Sequence, residues 1–363
     1  MDKKNSKIEM LRIIAIILIV LSHYVVHSGT DVHNMPVSIN RFILELGVLG
    51  NIGTMLFVFI TGYFLIKSSQ VKLKKIIHFW VQVFFYSFFI YVLVVILNRE
   101  PFNIIDLLVN SFPITFKRYW FATVYFIIYL FHPYINKFIN SLSRKEHSNF
   151  IVISVFIFFI LSTLTTMDFY GNELIYFIVF YSIGAYMSKY KDNFFYNKNN
   201  SKKMLLFSIS TIVFSIILFD VIGIKIAYFD KHSNYLLNLY SIAVLLLSLS
   251  VFGIFTSENL NTNTNKKINY ISSLVFGVYL ISDNKYMRKI IWVELLNNQS
   301  FFSSNYLIIH MIFSVILVFV VCLLLEAIRK FMFSNLFYKW LDPKIDKMQQ
   351  IIDIKMKKQK KVL

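Results

Sequence analysis

The residues best suited to chemistry lie in the first apolar run. Arg12 stands at its start, His23 toward its far end and His27 one turn later. Ionisable groups inside a hydrocarbon-spanning segment are costly, so each is a functional candidate. Eleven residues at about 100° each make close to three full turns. Arg12 and His23 therefore share one helix face, roughly 16 Å apart along the axis. Arg12 offers fixed donors for a phosphate or a polarised carbonyl, and His23, with an ordinary pKa near 6.5, suits removal of a proton from a hydroxyl. Such a face fits an anionic donor at one membrane boundary and an acceptor arriving from the other. A structural reading stays open beside it, in which Arg12 snorkels and His23 is satisfied by a neighbouring helix.

The elements that must position this face are membrane spans. Of 363 residues, 57% are hydrophobic and 15% charged, and the mean hydropathy is +0.62. A water-soluble domain of this size has too much surface for that balance. Apolar runs at roughly 11–27, 48–66, 76–97, 119–139, 150–166, 173–188, 204–224, 235–256, 270–284 and 304–326 are each near the ~20 residues that cross the hydrocarbon core. They do not alternate, and glycine (10) and proline (5) are scarce, so helices rather than a barrel are expected. With ten spans and the N-terminus inside, 28 Lys and Arg fall in cytoplasmic segments and 9 outside, as the positive-inside rule requires. The expected fold is all-α and polytopic, with about ten transmembrane helices, both termini cytoplasmic and the chain in the cell membrane. Residues 1–29 start like a signal peptide, but no A-x-A-like site follows and nine runs come after.

The net charge of +18 does not point to nucleic acid, because the basic residues lie between apolar runs rather than on one stripe. Cys322 is the single cysteine and lies in an apolar run, which excludes an internal disulfide. His23 and His27 have the i, i+4 spacing of a helical metal pair, with His33 nearby, yet no H-E-x-x-H pattern is present and no metal is expected. His78, His132 and His310 read as core or interface histidines, and Asp220 and Glu326 as snorkelling or paired. No Gly-rich phosphate loop or G-x-S-x-G elbow occurs.

The segment "LRIIAIILIVLSHYVV", with ten residues between Arg12 and His23, resembles the N-terminal signature of the membrane acyltransferase-3 family. Further segments agree in order: "LFVFITGYFLI" (56–66), with Thr61 where relatives usually have Ser, "YWFATVYFIIYLFHPYIN" (119–136), "YSIGAYMSKY" (181–190) and "FGVYLI" (276–281). Together they cover nearly the whole chain. The resemblance implies transfer of an acyl group from acyl-coenzyme A, most simply acetyl-CoA, to a hydroxyl of an envelope glycan or its lipid-linked precursor. His23 would be the general base and Arg12 its essential partner. Lys72 and Lys75 match basic positions of the family and would meet the phosphates of coenzyme A, although any cytoplasmic loop collects lysines. Tyr119 and Trp120 sit where aromatic rings anchor an interface or stack on sugars. Many relatives follow the Tyr-Leu-Ile of the ninth helix with histidine, whereas this chain has Ser282, Asp283 and Asn284. Asp283 would then orient His23, or simply end a helix.

The domain reading is a ten-helix acyltransferase unit over 1–326 and a basic cytoplasmic tail over 327–363, solvated or lying on an anionic leaflet. The alternative function is a transporter or exporter of a glycan or lipid, against which stand the lack of visible repeats and of a broken helix pair. A catalytically idle partner of a glycan-assembly complex is favoured only by Ser282.

Overall fold

The computed structural model describes residues 5–165, 171–257 and 264–360, with side chains through 354. The regular elements among them are all helical. In chain order they are α1 (Ser6–Val26), α2 (Ile39–Leu46), α3 (Gly50–Leu65), α4 (Leu73–Ile96), α5 (Ile104–Ser111), α6 (Trp120–Ser141), α7 (Arg144–Val155), α8 (Leu161–Thr165) and α9 (Glu173–Lys189). They continue as α10 (Lys198–Gly223), α11 (Ala227–Asp230), α12 (Ile242–Thr256), α13 (Lys266–Ser272), α14 (Val275–Ser282), α15 (Lys285–Arg288), α16 (Leu307–Met332) and α17 (Tyr338–Lys360).

Seven helical stretches among the described residues are long and apolar enough to cross a bilayer: Ser6–Val26, Ile39–Leu65, Leu73–Ile96, Arg144–Thr165, Lys198–Gly223, Ala227–Thr256 and Leu307–Ile354. The chain is therefore a multi-pass membrane protein. Three of the ten expected runs form helices without reaching that standard, for local reasons. The run at 119–139 becomes α6, whose second half carries the polar residues His132, Asn136 and Asn140. The run at 173–188 becomes the 17-residue α9. The run at 270–284 is broken at Ser273 and Leu274 into α13 and α14.

Helix α1 is central, packing on α3, α12, α13, α14 and α16. Its Leu11, Ala15, Ile16, Val20 and Tyr24 are fully buried. In lipid, helices associate by close packing rather than by exclusion from water, so small residues mark the tightest crossings. The α3–α9 crossing depends on Gly62 and Gly184: a Cβ on Gly62 would sit 2.1 Å from the Tyr181 carbonyl oxygen, and one on Gly184 2.2 Å from that of Phe59. Gly53 does the same for α3 on α1, where a Cβ would lie 2.3 Å from the Ala15 oxygen.

Buried charges are paired, as hydrocarbon surroundings demand. Arg41 on α2 reaches Glu45 at 3.0 Å, Asp220 on α10 at 3.0 Å and Asp230 on α11 at 2.8 Å. Glu326 on α16 receives Nη2 and Nε of Arg329, each at 2.7 Å, the Tyr86 hydroxyl at 2.7 Å and the Gln82 amide at 3.0 Å. Asp220 and Glu326 are thus paired rather than snorkelling.

A π-helical turn, Phe333–Phe337, leads into α17, which folds against the start of α4. Asp342 pairs with Lys74 at 2.6 Å and with His78 at 2.7 Å. Tyr338 stacks on His78 at 3.8 Å between ring centroids, and Gln349 accepts the Leu73 amide at 2.9 Å. Asp342, Asp346, Gln349 and Asp353 recur at helical spacing, so α17 presents an acidic stripe to a lysine-rich loop.

Candidate active site

At the start of α1, Asn5 caps the helix by accepting the Lys7 amide at 3.0 Å, and Glu9 lies in the first turn. Nη1 of Arg12 donates to both Glu9 oxygens, at 2.9 and 3.0 Å, and the Ser272 hydroxyl also donates to Glu9. Arg12 is anchored by this carboxylate but keeps 30% of its side chain exposed. Its guanidinium lies 5.9 Å from the Phe64 ring centroid. Arg12 opens onto a cavity of about 600 Å³ that is also lined by Lys67, Lys72, Lys75, Phe79, Tyr125 and Tyr129.

Lys72 is the N-cap residue of α4 and Lys75 lies in its first turn, with no acidic residue there. Cations at the positive end of a helix dipole are unfavourable for the helix alone, but together they favour a bound anion. The loop that carries these lysines is clamped from α6. Nδ2 of Asn136 donates to the carbonyls of Leu65 (2.6 Å) and Ser68 (2.7 Å). Nδ2 of Asn140 donates to Ile66 at 3.3 Å, and His132 Nε2 meets the Ser68 hydroxyl at 3.2 Å. Tyr181 completes the clamp by donating to Asn136 at 2.7 Å.

At the other end of α1 the break between α14 and α15 brings Asp283 to the histidines. Asp283 Oδ1 is 3.5 Å from His23 Nε2, 3.2 Å from His27 Nε2 and 2.7 Å from Arg288 Nη2. Nε of Arg288 also donates to the Asp283 backbone oxygen at 3.0 Å. The Ser282 hydroxyl lies 3.2 Å from His23 Nδ1. The Ser282 hydroxyl can donate to or accept from Nδ1 according to the tautomer, and the Asp283 carboxylate near Nε2 would stabilise an imidazolium. His23, His27, Asp283 and Arg288 line a cavity of about 240 Å³ together with Trp120, Asn51, Thr54 and Tyr279.

The sequence candidates are thus gathered at two places. Arg12, Lys72 and Lys75 share the larger cavity, and His23, Asp283 and Trp120 the smaller. Tyr119 lines neither: it is buried, accepting a 2.7 Å hydrogen bond from Asn284 behind the cavity wall. His33 is drawn away to Glu45 at 3.7 Å. The ligand atoms of His23, His27 and Asp283 lie within 4.8 Å of one another, a spacing that would suit a metal. Arg288 already delivers positive charge to the same Asp283 oxygen, so the donor set fits an ion pair better.

Arg288 was not legible as part of this site, and His27 was read only beside His23 on the first helix. Arg288 reads in sequence as one more loop cation, and only its position five residues past Asp283, across a helix break, hints at a pairing. The Asn136–His132 clamp gave no sequence signal beyond polar residues in an apolar run.

Residues 5–327 match the family model described as an acyltransferase domain. No curated protein and no solved structure matches the chain significantly. With nearly nine-tenths of its length matched, the chain belongs to the membrane acyltransferase-3 family and is an acyltransferase.

Proposed function

We propose that the protein moves a short acyl group, in the simplest case acetyl, from acyl-coenzyme A to a hydroxyl of an envelope glycan or its lipid-linked precursor. The observation that carries this reading is the division of labour along α1, with a lysine- and arginine-lined cavity at Arg12 and a His–Asp–Ser–Arg cluster at His23. Arg12, Lys72 and Lys75 hold the donor phosphates by charge-assisted hydrogen bonds. The pantetheine arm then runs along α1 over the roughly 16 Å to His23.

At His23 the acceptor oxygen attacks the thioester carbonyl carbon while its proton passes to Nε2. Asp283, held by Arg288, stabilises the imidazolium so formed. The tetrahedral oxyanion collapses, the carbon–sulfur bond breaks, and the departing thiolate takes the proton back from His23. One ester forms, one thioester is lost and His23 returns to its starting state. Trp120 offers an apolar face to the sugar.

In this reading both termini and the Arg12 cavity face the cytoplasm, the His23 cavity faces outward across the cell membrane, and residues 1–326 form the transferring unit with 327–363 as an appended tail. The test compares surface glycans from cells making the unaltered protein, His23→Ala or Arg12→Ala at equal membrane levels. Ester-linked acyl groups, read by NMR and mass spectrometry, should disappear with either variant. Unchanged glycan acylation would sink the proposal. Movement of a glycan across vesicles without consumption of acyl-coenzyme A would favour a transporter instead.

A further inference from the structure

The two cavities share no lining residue. Five aromatic rings occupy the interval and touch in a closed cycle. Phe79 stacks on Tyr125 at 5.5 Å between centroids and Tyr125 on Phe121 at 5.9 Å. Phe121 meets Tyr279 edge-on at 5.6 Å, Tyr279 meets Phe276 at 6.0 Å, and Phe276 stacks back on Phe79 at 4.8 Å. Phe79 and Tyr125 line the Arg12 cavity, whereas Phe121 and Tyr279 line the His23 cavity. Three helices supply the rings: α4, α6 and α14.

Resting on the acyl-transfer reading above, we propose that this aromatic cycle is the gate through which the acyl thioester threads, and that Phe121 and Tyr279 limit the transferred group to a short, unbranched chain. Packed rings between cavities on opposite sides of a membrane keep water and ions from passing. Rings from separate helices part by rotation or a small helix shift, without breaking a backbone hydrogen bond. The His23 cavity, at about 240 Å³ against about 600 Å³ for the donor cavity, must hold the acyl group beside the acceptor hydroxyl. Each added methylene therefore competes with Phe121 and Tyr279 for the same space.

The gate is tested in two arms, the first independent of acyl transfer. In a Cys322→Ser background, single cysteines are placed in the donor cavity (Ser68→Cys) and in the His23 cavity (Asn51→Cys), and vesicles of known orientation are treated with a charged, membrane-impermeant thiol reagent. Each cysteine should react from one face only, the two from opposite faces. Adding Phe121→Ala should make Asn51→Cys reactive from both. Reaction of either cysteine from both faces without that substitution would overturn the gate.

The second arm supplies acetyl-, butyryl- or hexanoyl-coenzyme A to membranes containing the protein and their own glycan, and measures ester formed. Phe121→Ala and Tyr279→Leu should raise the hexanoyl-to-acetyl ratio about tenfold each, in line with the discrimination a hydrophobic pocket exerts on chain length. Phe121→Trp should lower it and serves if the smaller variants fail to fold. An unchanged ratio with acetyl transfer intact overturns the gate alone. Absence of transfer by the unaltered protein from any donor, with the labelling pattern as expected, removes the acyl-coenzyme A reading and leaves the partition standing.

Discussion

Arg288 and His27 converge on one oxygen: Asp283 Oδ1 lies 2.7 Å from Arg288 Nη2 and 3.2 Å from His27 Nε2, with His23 Nε2 at 3.5 Å. A carboxylate buried this deeply needs a permanent counter-charge if it is to remain an anion beside a neutral imidazole. Arg288 supplies that charge.

Replacing Arg288 by Gln is therefore expected to lower kcat by about tenfold to a hundredfold, with a smaller change in KM for the donor, because the imidazolium formed in the transition state loses a fixed carboxylate. Steady-state acyl transfer in membranes reads this. Equal kcat for the variant and the parent would remove Arg288 from the mechanism.

The Ser282 hydroxyl contacts His23 Nδ1 at 3.2 Å. Ser282→Ala should reduce kcat several-fold by releasing the His23 ring, an effect of about 1 kcal/mol for one neutral hydrogen bond. Ser282→Thr, which keeps the hydroxyl, should restore much of the rate. A rate unaffected by Ser282→Ala would show that the ring is oriented by other contacts.

Charge at the head of α4 is predicted to act on donor binding. Lys72→Gln with Lys75→Gln should raise KM for acyl-coenzyme A by roughly tenfold, and added salt should weaken donor binding less in the double variant than in the parent. The turnover rate at saturating donor should hold. A fall in kcat with KM unchanged would place these lysines outside the donor site.

The α3–α9 crossing gives a prediction on stability. Gly184→Ala directs a methyl group at the Phe59 carbonyl and should cost about 1–3 kcal/mol, as overpacking does, read as a lower melting temperature of detergent-solubilised protein. A melting temperature equal to the parent's would mean that the helices separate without penalty.

Asp342 joins α17 to Lys74 and His78 on α4. Asp342→Lys should free α17, visible as faster tryptic cleavage at Lys344 and Lys347, while the melting temperature of the bundle shifts little because partly exposed pairs contribute at most about 1 kcal/mol. Unchanged cleavage would assign the docking to the Tyr338 stack and the Gln349 contact instead.

Composition and the length of the apolar runs were enough to determine that this chain is an all-helical membrane protein, because hydrocarbon leaves a backbone few other ways to satisfy its polar groups. Helical periodicity within one element put Arg12 and His23 on one face, since both lie on the same rigid helix. The ordered motifs pointed to the acyltransferase family, which the match over 5–327 shows. Tertiary structure decided the rest, because it depends on which helix ends meet. Asp283 reaches His23 across 260 residues through the break after α14, and Arg288 joins it only because the chain turns there. The ring cycle draws on α4, α6 and α14, so no local spacing announces it. Tyr119 and Trp120 are neighbours in sequence, yet one is packed behind the wall and the other lines the cavity, since Tyr119 is the extended N-cap of α6 and Trp120 its first helical residue.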